Sequence, residues 1–320
     1  MDLRLLEYML RIAELGSINK AAADLHLSQP TLSRHIAALE REMGTKLFIR
    51  AQSGVTLTEP GKLLAGRARP LLRQHAILKE QVGEMAAGQL SIGVPPSWQR
   101  VFTSPFARTL VAQYPEIKLR VYEGVSNILR DHLLTGILDL CVIPFDSSPP
   151  TGFHQTALIR EPLILMGSAA RKLHPNQSIP LSYLDGENLV LPGRPNVLSS
   201  HIEHMLKRKG MVFKVAVETD TLGLCLDLAR EGIGYTVMPA CTLHDHAYIT
   251  DTMSWTPIQG LFVTWALNES LARSHSHAVH EGRKVVLKTL AGTLESNVWF
   301  GAEAMSGLSS KGDHAVLDRT

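Results

Sequence analysis

The stretch that decides the fold reads Ala21-Ala22-Ala23-Asp24-Leu25-His26-Leu27-Ser28-Gln29-Pro30-Thr31-Leu32-Ser33-Arg34-His35-Ile36. A short helix ends near Leu25, a tight turn follows, and Ser28-Gln29-Pro30 opens the next helix. Ser28 offers a capping oxygen, and Pro30 falls in a first turn, where its missing N–H has no partner to lose. Leu32, Ile36, Leu39 and Met43 recur at helical spacing as a buried stripe, and Gly44 ends the helix. Upstream, Leu3, Leu6, Leu10 and Ala13 mark a first helix that stops at Gly16, and Ser17 caps the short second one. Downstream, Leu47–Arg50 and Val55–Thr58 predict two short strands around a Ser53-Gly54 turn. Three helices and a hairpin over residues 1–58 predict an all-α winged helix-turn-helix.

At about 100° per residue, the third helix turns Pro30, Arg34, Ala37, Ala38 and Arg41 away from its buried stripe, with Ser33 at the side. The alanines let the backbone approach DNA closely, while Gln29, Ser33 and Arg34 can donate to base edges or phosphates. Arg50 on the wing suits the flanking backbone, where contacts position the protein without reading sequence. Ser17, Ser28 and Thr31 complete the candidate contact set. For the serines the plainer role is helix capping.

Net charge is only +2 over 320 residues, but it is unevenly placed. Residues 28–79 hold nine basic and three acidic side chains, a local +6 that suits a phosphate partner. At 45% hydrophobic and 19% charged residues, the composition supports ordinary cores and excludes a wholly disordered chain. No window approaches 18 uninterrupted apolar residues, and the start Met1-Asp2-Leu3-Arg4 lacks a secretory layout. Cys141, Cys225 and Cys241 form no CxxC pair and no disulfide framework, so they read as small buried hydrophobes in a reducing cytoplasm.

From Pro60 to about Ala87 runs a long helical pattern, with Leu64, Ala68, Leu71, His75, Leu78, Val82 and Met85 as a coiled-coil seam that predicts a homodimer. Pro70 inside it is expected to kink the helix. After Gly88, apolar runs alternate with amphipathic segments. Strands are expected at Leu90–Val94, Ile117–Tyr122, Leu138–Pro144, Leu163–Gly167, Asn188–Leu191, Phe213–Val217, Tyr235–Met238 and Leu261–Leu267. Helices are expected at about 105–114, 126–136, 198–210, 221–231 and 271–291. This alternation predicts an α/β region with a mostly parallel sheet, in two lobes with crossovers near 146–152 and 260–268. The organisation expected is a DNA-binding domain at 1–58, a linker helix at 59–88, an effector domain at 89–292 and a disordered tail at 293–320. Within the effector domain, lobe 1 takes about 89–160 and 266–292, and lobe 2 about 161–265.

The residues Ala21-Ala22, Leu25, Leu27-Ser28-Gln29-Pro30-Thr31-Leu32-Ser33, Ile36, Leu39-Glu40, Met43-Gly44, Leu47-Phe48, Arg50, Leu57-Thr58 and Gly61 closely resemble the LysR-type transcriptional regulators. The match is dense over about 60 residues, and the order of segments agrees to about residue 292. Pro60, Pro70 and the length after 292 depart from the family pattern. The resemblance implies a two-lobed, periplasmic-binding-protein-like effector domain and promoter DNA as partner. It also implies a homotetramer assembled from dimers able to bend DNA. RNA polymerase is a further candidate partner, no membrane association is expected, and no cofactor is expected beyond a small-molecule co-inducer.

Two α/β lobes leave a cleft where strand C-termini meet helix N-termini. In this chain those junctions are Pro95-Pro96-Ser97-Trp98, Gly124-Val125-Ser126-Asn127, Leu191–Asn196 and Asp220-Thr221. The resemblance carries an effector role to Ser97, Ser126, Pro144, Arg194, Asn196 and Thr221. The residues themselves add Trp98 as a bulky apolar wall, which suits an aromatic effector, and Arg194 as a partner for an anionic one. No GxSxG, P-loop or GxGxxG pattern points to an enzyme. Leu243-His244-Asp245-His246 and His275-Ser276-His277 are short of a metal-ligand set, so no metal is expected. Two other readings share these features: a small-molecule binding protein or enzyme whose helical N-terminus only dimerises, and an architectural DNA binder without an effector.

Overall fold

The computed structural model describes residues 2–51, 54–82, 88–149, 151–193, 196–244, 252–273 and 276–309. The chain divides into two units, one built on residues 1–85 and the other on most of the remainder.

In the first unit, α1 (Leu3–Leu15), α2 (Ile18–Asp24) and α3 (Gln29–Met43) pack around fully buried Leu6, Met9, Ile12, Leu32 and Leu39. The predicted punctuation is present. Ser17 accepts the Lys20 N–H at the start of α2, and Ser28 accepts the Thr31 N–H at the start of α3. Gly16 and Gly44 close α1 and α3 in the left-handed region. β1 (Phe48–Ala51) and β2 (Gly54–Leu57) form the antiparallel wing, with Arg50 opposite Val55.

The wing is tied to what lies on either side of it. Glu40 of α3 accepts the Lys46 ammonium at 2.7 Å and the Leu47 N–H at 2.9 Å. Burial works to raise this carboxyl, but those two donors outweigh it and hold it below the usual carboxylate range. Thr58 donates to the Lys46 carbonyl and accepts the Gly61 N–H, capping α4 (Glu59–Val82). A Cβ on Gly61 would stand 2.2 Å from the Leu47 carbonyl oxygen, so only glycine lets the hairpin base sit on the first turn of α4.

α4 does not present the single seam expected. Leu64, Ala68 and Leu72 join the core of the three-helix domain, because α4 needs one apolar stripe to pack on α1. Leu63, Leu71 and Leu78, at 67%, 44% and 57% exposure, form a second stripe. Of the predicted seam, Leu71 and Leu78 lie on this free stripe and His75 is half-buried. The Val82 side chain and Met85 lie outside the described residues. The helix assignment runs unbroken through Pro70.

The second unit is mixed rather than mostly parallel. β3 (Gln89–Val94) pairs in parallel with β4 (Lys118–Glu123) and β5 (Leu140–Pro144), and β7 (Asn188–Pro192) pairs in parallel with β8 (Lys214–Thr219). Two strands are far longer than expected: β6 (Phe153–Ser168) and β10 (Met253–Ser270). They run antiparallel to each other, β10 also pairs with β5, and β9 (Thr236–Pro239) pairs with β6. The crossover expected near 260–268 lies within β10, while the one expected near 146–152 precedes β6, and both long strands extend well beyond those bounds. Polar stretches such as His154-Gln155-Thr156, and the register shift between Pro257 and Phe262, hide their length from a search for apolar runs.

α5 (Ser104–Gln113), α6 (Ser126–Leu134) and α9 (His277–Glu295) serve the first lobe, while α7 (Val197–Arg208) and α8 (Leu222–Arg230) serve the second. The Arg273 guanidinium, fully buried, pairs with Asp139 at 2.9 Å and donates to the Gln89 carbonyl. The other Asp139 oxygen accepts the Ser91 N–H.

The expectation of a disordered tail from 293 is overturned as far as residue 309. α9 continues to Glu295, Trp299 is buried, β11 (Glu303–Ala304) pairs with β6, and a short α10 (Ser306–Ser309) follows. The run Val298-Trp299-Phe300 was the signal: two large aromatics together belong in a core. Residues 310–320 lie outside the described residues. Among the described residues no helix is long and apolar enough to cross a membrane.

Candidate nucleic-acid interface and ligand cavity

On α3, Ser28, Gln29, Pro30, Arg34, Ala37 and Arg41 are exposed, while Thr31, Ser33 and Ala38 are half-buried. The polar groups already order one another. Gln29 Nε2 donates to Ser33 Oγ at 2.9 Å, the Ser28 and Thr31 hydroxyls share a hydrogen bond of 2.7 Å, and Arg34 Nη2 reaches Thr31 Oγ1 at 3.5 Å. Ser28, Gln29, Pro30, Thr31, Ser33 and Arg34 therefore lie together at the N-terminal half of α3, the half that enters a major groove in helix-turn-helix docking, while Ala37, Ala38 and Arg41 follow on its C-terminal half and the Arg50 side chain lies outside the described residues. Ser17 sits apart as the half-buried cap of α2. Its oxygen is occupied as acceptor and its O–H remains a donor suited to a phosphate.

A cavity of about 250 Å³ opens in the second unit where the parallel strands of both lobes end. Ser97 follows β3, Ser126 follows β4, Pro144 ends β5, Asn196 follows β7, Thr221 follows β8, and all five line it. They are not equivalent. The Asn196 Oδ1 accepts the Leu198 and Ser199 N–H groups, so this side chain caps α7. Thr221 stands at the cap of α8 without a side-chain capping bond, which leaves its hydroxyl uncommitted to that helix. The Pro96–Trp98 turn that carries Ser97 packs on the Ala240–Leu243 turn that carries Cys241.

Trp98 is a correction. Its ring is fully buried behind the cavity rather than lining it, in edge contacts with Phe102, Trp265 and Trp299 at 5.1 to 5.5 Å between centroids. The 3-10 turn Pro96–Trp98 rotates the indole inward and leaves Pro95, Pro96 and Ser97 at the cavity. Arg194 lies outside the described residues. Sequence reasoning missed His201 and Phe145, and the wall supplied by β10, which includes Phe262 and Trp265. His201 follows Val197 by four residues on α7, a spacing that could have found it. Nothing local marks Trp265, because it reaches the cavity from a strand more than a hundred residues beyond the first lobe's junctions.

All three cysteines are buried. Burial pushes the Cys141 thiol up to about 12, the Cys225 thiol up to about 11, and the Cys241 thiol well above its usual value. Among the described residues no group of three or more His, Cys, Asp or Glu side chains could hold a metal ion. His246 and His275 lie outside those residues.

The winged helix and the two-lobed unit each match a family model. Residues 3–62 match the bacterial regulatory helix-turn-helix protein, lysR family, and residues 83–283 match the LysR substrate binding domain. The nitrogen assimilation regulatory protein nac of Klebsiella aerogenes is 34% identical over 243 residues, covering 75% of this chain and 78% of that protein. The DNA-binding transcriptional dual regulator OxyR of Escherichia coli is 31% identical over 252 residues, covering 75% and 79%. Among solved structures, CbnR, a LysR family transcriptional regulator, matches 91% of this chain and 99% of its own with a TM-score of 0.66 at 19% identity. CbnR complexed with its target DNA matches 92% and 100% with a TM-score of 0.63 at 20% identity. The chain belongs to the LysR family: it is a DNA-binding transcriptional regulator with an effector-binding domain.

Proposed function

We propose that the regulator reads promoter DNA with the N-terminal half of α3 and responds to a small molecule held between the two lobes. Its parts are a DNA-binding domain at 1–58, a linker helix at 59–88 and an effector domain at 89–292. The observation that carries the reading is the outward polar set in which Gln29 is ordered by Ser33 and Arg34 by Thr31, on a helix whose opposite face buries Leu32, Ile36 and Leu39. Arg41, Ala37 and Ala38 extend that face, and Arg50 and Ser17 take phosphates on either side. The free stripe Leu63, Leu71 and Leu78 supports a dimer through α4, and two dimers form the tetramer. Recruitment of RNA polymerase, residence in the cytoplasm and the lack of a catalytic activity are parts of the same reading.

The effector is a small molecule with an apolar or aromatic body and an anionic end. The wall around Phe145, Phe262 and Trp265 supports the first feature. The starts of α6, α7 and α8 support the second, since helix-start N–H groups favour anions. Arg194 is the cation proposed to face that end. Another relative, 31% identical over 252 residues, is named hydrogen peroxide-inducible genes activator. For this chain we favour ligand binding over a thiol trigger, because a reactive cysteine needs access and a lowered pKa, and these three have neither.

Fluorescence anisotropy on a duplex from the chain's own upstream region tests the DNA reading. Binding should be salt-sensitive and should fall in Arg34→Ala with the fold intact; equal affinity in the variant would refute the assignment of α3. A thermal-shift screen of small carboxylates tests the cavity. A hit whose shift survives Arg194→Ala removes Arg194 from the site.

A further inference from the structure

The match to the LysR substrate binding domain ends at residue 283, yet the chain beyond Glu295 is built into the fold. Its contacts concentrate on the two long strands that carry the backbone between the lobes. Glu303–Ala304 pairs with Arg160–Ile159 of β6, and the Met305 N–H donates to the Leu158 carbonyl at 2.8 Å. Gly307 lies so close to β6 that a Cβ there would stand 2.2 Å from Thr156 Cγ2 and 2.5 Å from the Ala157 oxygen. Phe300 packs edge-on against Trp255 in the second-lobe half of β10, with centroids 4.9 Å apart. On the same edge of β6, β9 covers Leu163–Met166. The segment thus completes the sheet edge on the first-lobe side and holds an aromatic of the second lobe.

At the junction stands Glu161, fully buried. Its Oε2 accepts the Trp299 indole N–H at 2.7 Å and the Cys241 backbone N–H at 2.6 Å, and its Oε1 accepts the Trp265 indole N–H at 2.5 Å. Trp265 is a wall of the cavity, and the 3-10 turn Ala240–Leu243 that carries Cys241 packs on the Pro96–Trp98 turn that carries Ser97, another wall residue. One carboxylate therefore joins the C-terminal segment to two walls of the cavity. A buried carboxylate with this donor set is held tightly, because each N–H lost leaves charge uncompensated in an apolar surround.

We propose that residues 297–309 are an interlobe strap, and that Trp299 and Glu161 are positioning residues for effector binding, fixing through the Glu161 carboxylate both Trp265 and the Cys241 turn, on which the Ser97 turn packs. This rests on the reading that the cavity is the effector site. The strap makes a region beyond the family's matched domain part of the ligand machinery, and its presence sets how far the lobes can part.

The test uses the full chain, Trp299→Phe (which keeps one aromatic ring and removes the N–H), a chain ending at Ser296, and Ser126→Trp, which fills the cavity. Two readouts are taken: the rate of maleimide labelling at each cysteine by peptide mass spectrometry, and affinity for 1-anilinonaphthalene-8-sulfonate, an aromatic anion. Trp299→Phe is expected to speed labelling of Cys241 about tenfold, the loss expected of one hydrogen bond to a buried carboxylate, with Cys141 and Cys225 unchanged. It should weaken dye binding by a similar factor, with a larger loss in the shortened chain. Unchanged Cys241 labelling in Trp299→Phe overturns the proposal, and so does an equal rise at all three cysteines, which marks general loosening. Dye binding that Ser126→Trp abolishes and Trp299→Phe leaves intact overturns the strap while the cavity reading stands. Dye binding indifferent to Ser126→Trp counts against the cavity reading, and Cys241 labelling then decides the strap alone.

Discussion

The recognition helix and the ligand cavity are built in opposite ways. The surface of α3 proposed to meet DNA comes from residues 28–41, and its polar groups are ordered by bonds three or four residues apart: Ser28 with Thr31, Gln29 with Ser33, Thr31 with Arg34. The cavity draws Ser97, Ser126, Pro144, Asn196 and Thr221 from five strand ends and Trp265 from within β10, and groups from 161, 241 and 299 lie behind its wall. A local surface can be altered one side chain at a time with local effect. A site assembled from distant segments inherits the stability of the frame that gathers them.

The comparison breaks most visibly if the frame can be damaged without consequence. Arg273→Ala strands Asp139 in the core, and loss of one partner of a buried pair costs about 3–5 kcal/mol. Urea unfolding should show that loss in the second unit, with the winged helix keeping its own transition. A single unaltered transition would contradict it.

The Glu161 junction should give the next largest effect. Burial pushes its carboxyl up to about 7 from an ordinary 4.5, against the three bonds it accepts from Trp299, Trp265 and the Cys241 backbone. Below pH 4.5 folded and unfolded chains both hold the proton. Between those values the unfolded chain ionises first, so stability falls as pH rises, by about 3 kcal/mol across the window. Thermal melts from pH 4.5 to 7.5 should slope downward more steeply in the parent than in Glu161→Gln.

Within the first unit the one position expected to act through the frame is Gly61. Its alanine variant forces a methyl against the Leu47 carbonyl and should cost about 1–3 kcal/mol, seen as a lower melting temperature and weaker DNA binding together. Arg34→Ala should separate those readouts: DNA affinity falls about 5- to 150-fold, the range of one good base contact, while the melting temperature holds.

The smallest effect sharpens the contrast inside the cavity. Asn196→Ala should cost about 1 kcal/mol of stability through its lost cap. Thr221→Val should cost less, since its hydroxyl caps nothing, while altering the ligand-induced shift. Equal losses in calorimetry would remove the distinction.

The legibility of each region follows from the same contrast. Caps, the Pro30 start, the glycine stops and the 3.6-residue stripe are short-range consequences of backbone sterics and hydrogen bonding, so the winged helix could be read to within a residue or two. The junctions at Ser97, Ser126, Pro144, Asn196 and Thr221 were also readable, because strand-to-helix turns have local signatures. Trp98 belongs to the predicted loop but points away from the cavity, since a 3-10 turn and not the sequence spacing sets where its indole points. The linker seam was read as one stripe because periodicity cannot say which partner each leucine meets: Leu64 turned to α1 and Leu71 stayed free.

By itself, then, the sequence determined the elements that depend on neighbours within a few residues: three capped helices, a wing, a concentration of positive charge and an alternation of strands and helices. Only the tertiary structure decided that β6 and β10 run the length of both lobes, that residues 293–309 fold back, and that a buried glutamate joins Trp299 to the cavity wall. Those outcomes depend on contacts between residues far apart in the chain. Such contacts leave no period in the chain and are settled only when burial of large apolar side chains offsets the entropy of bringing them together.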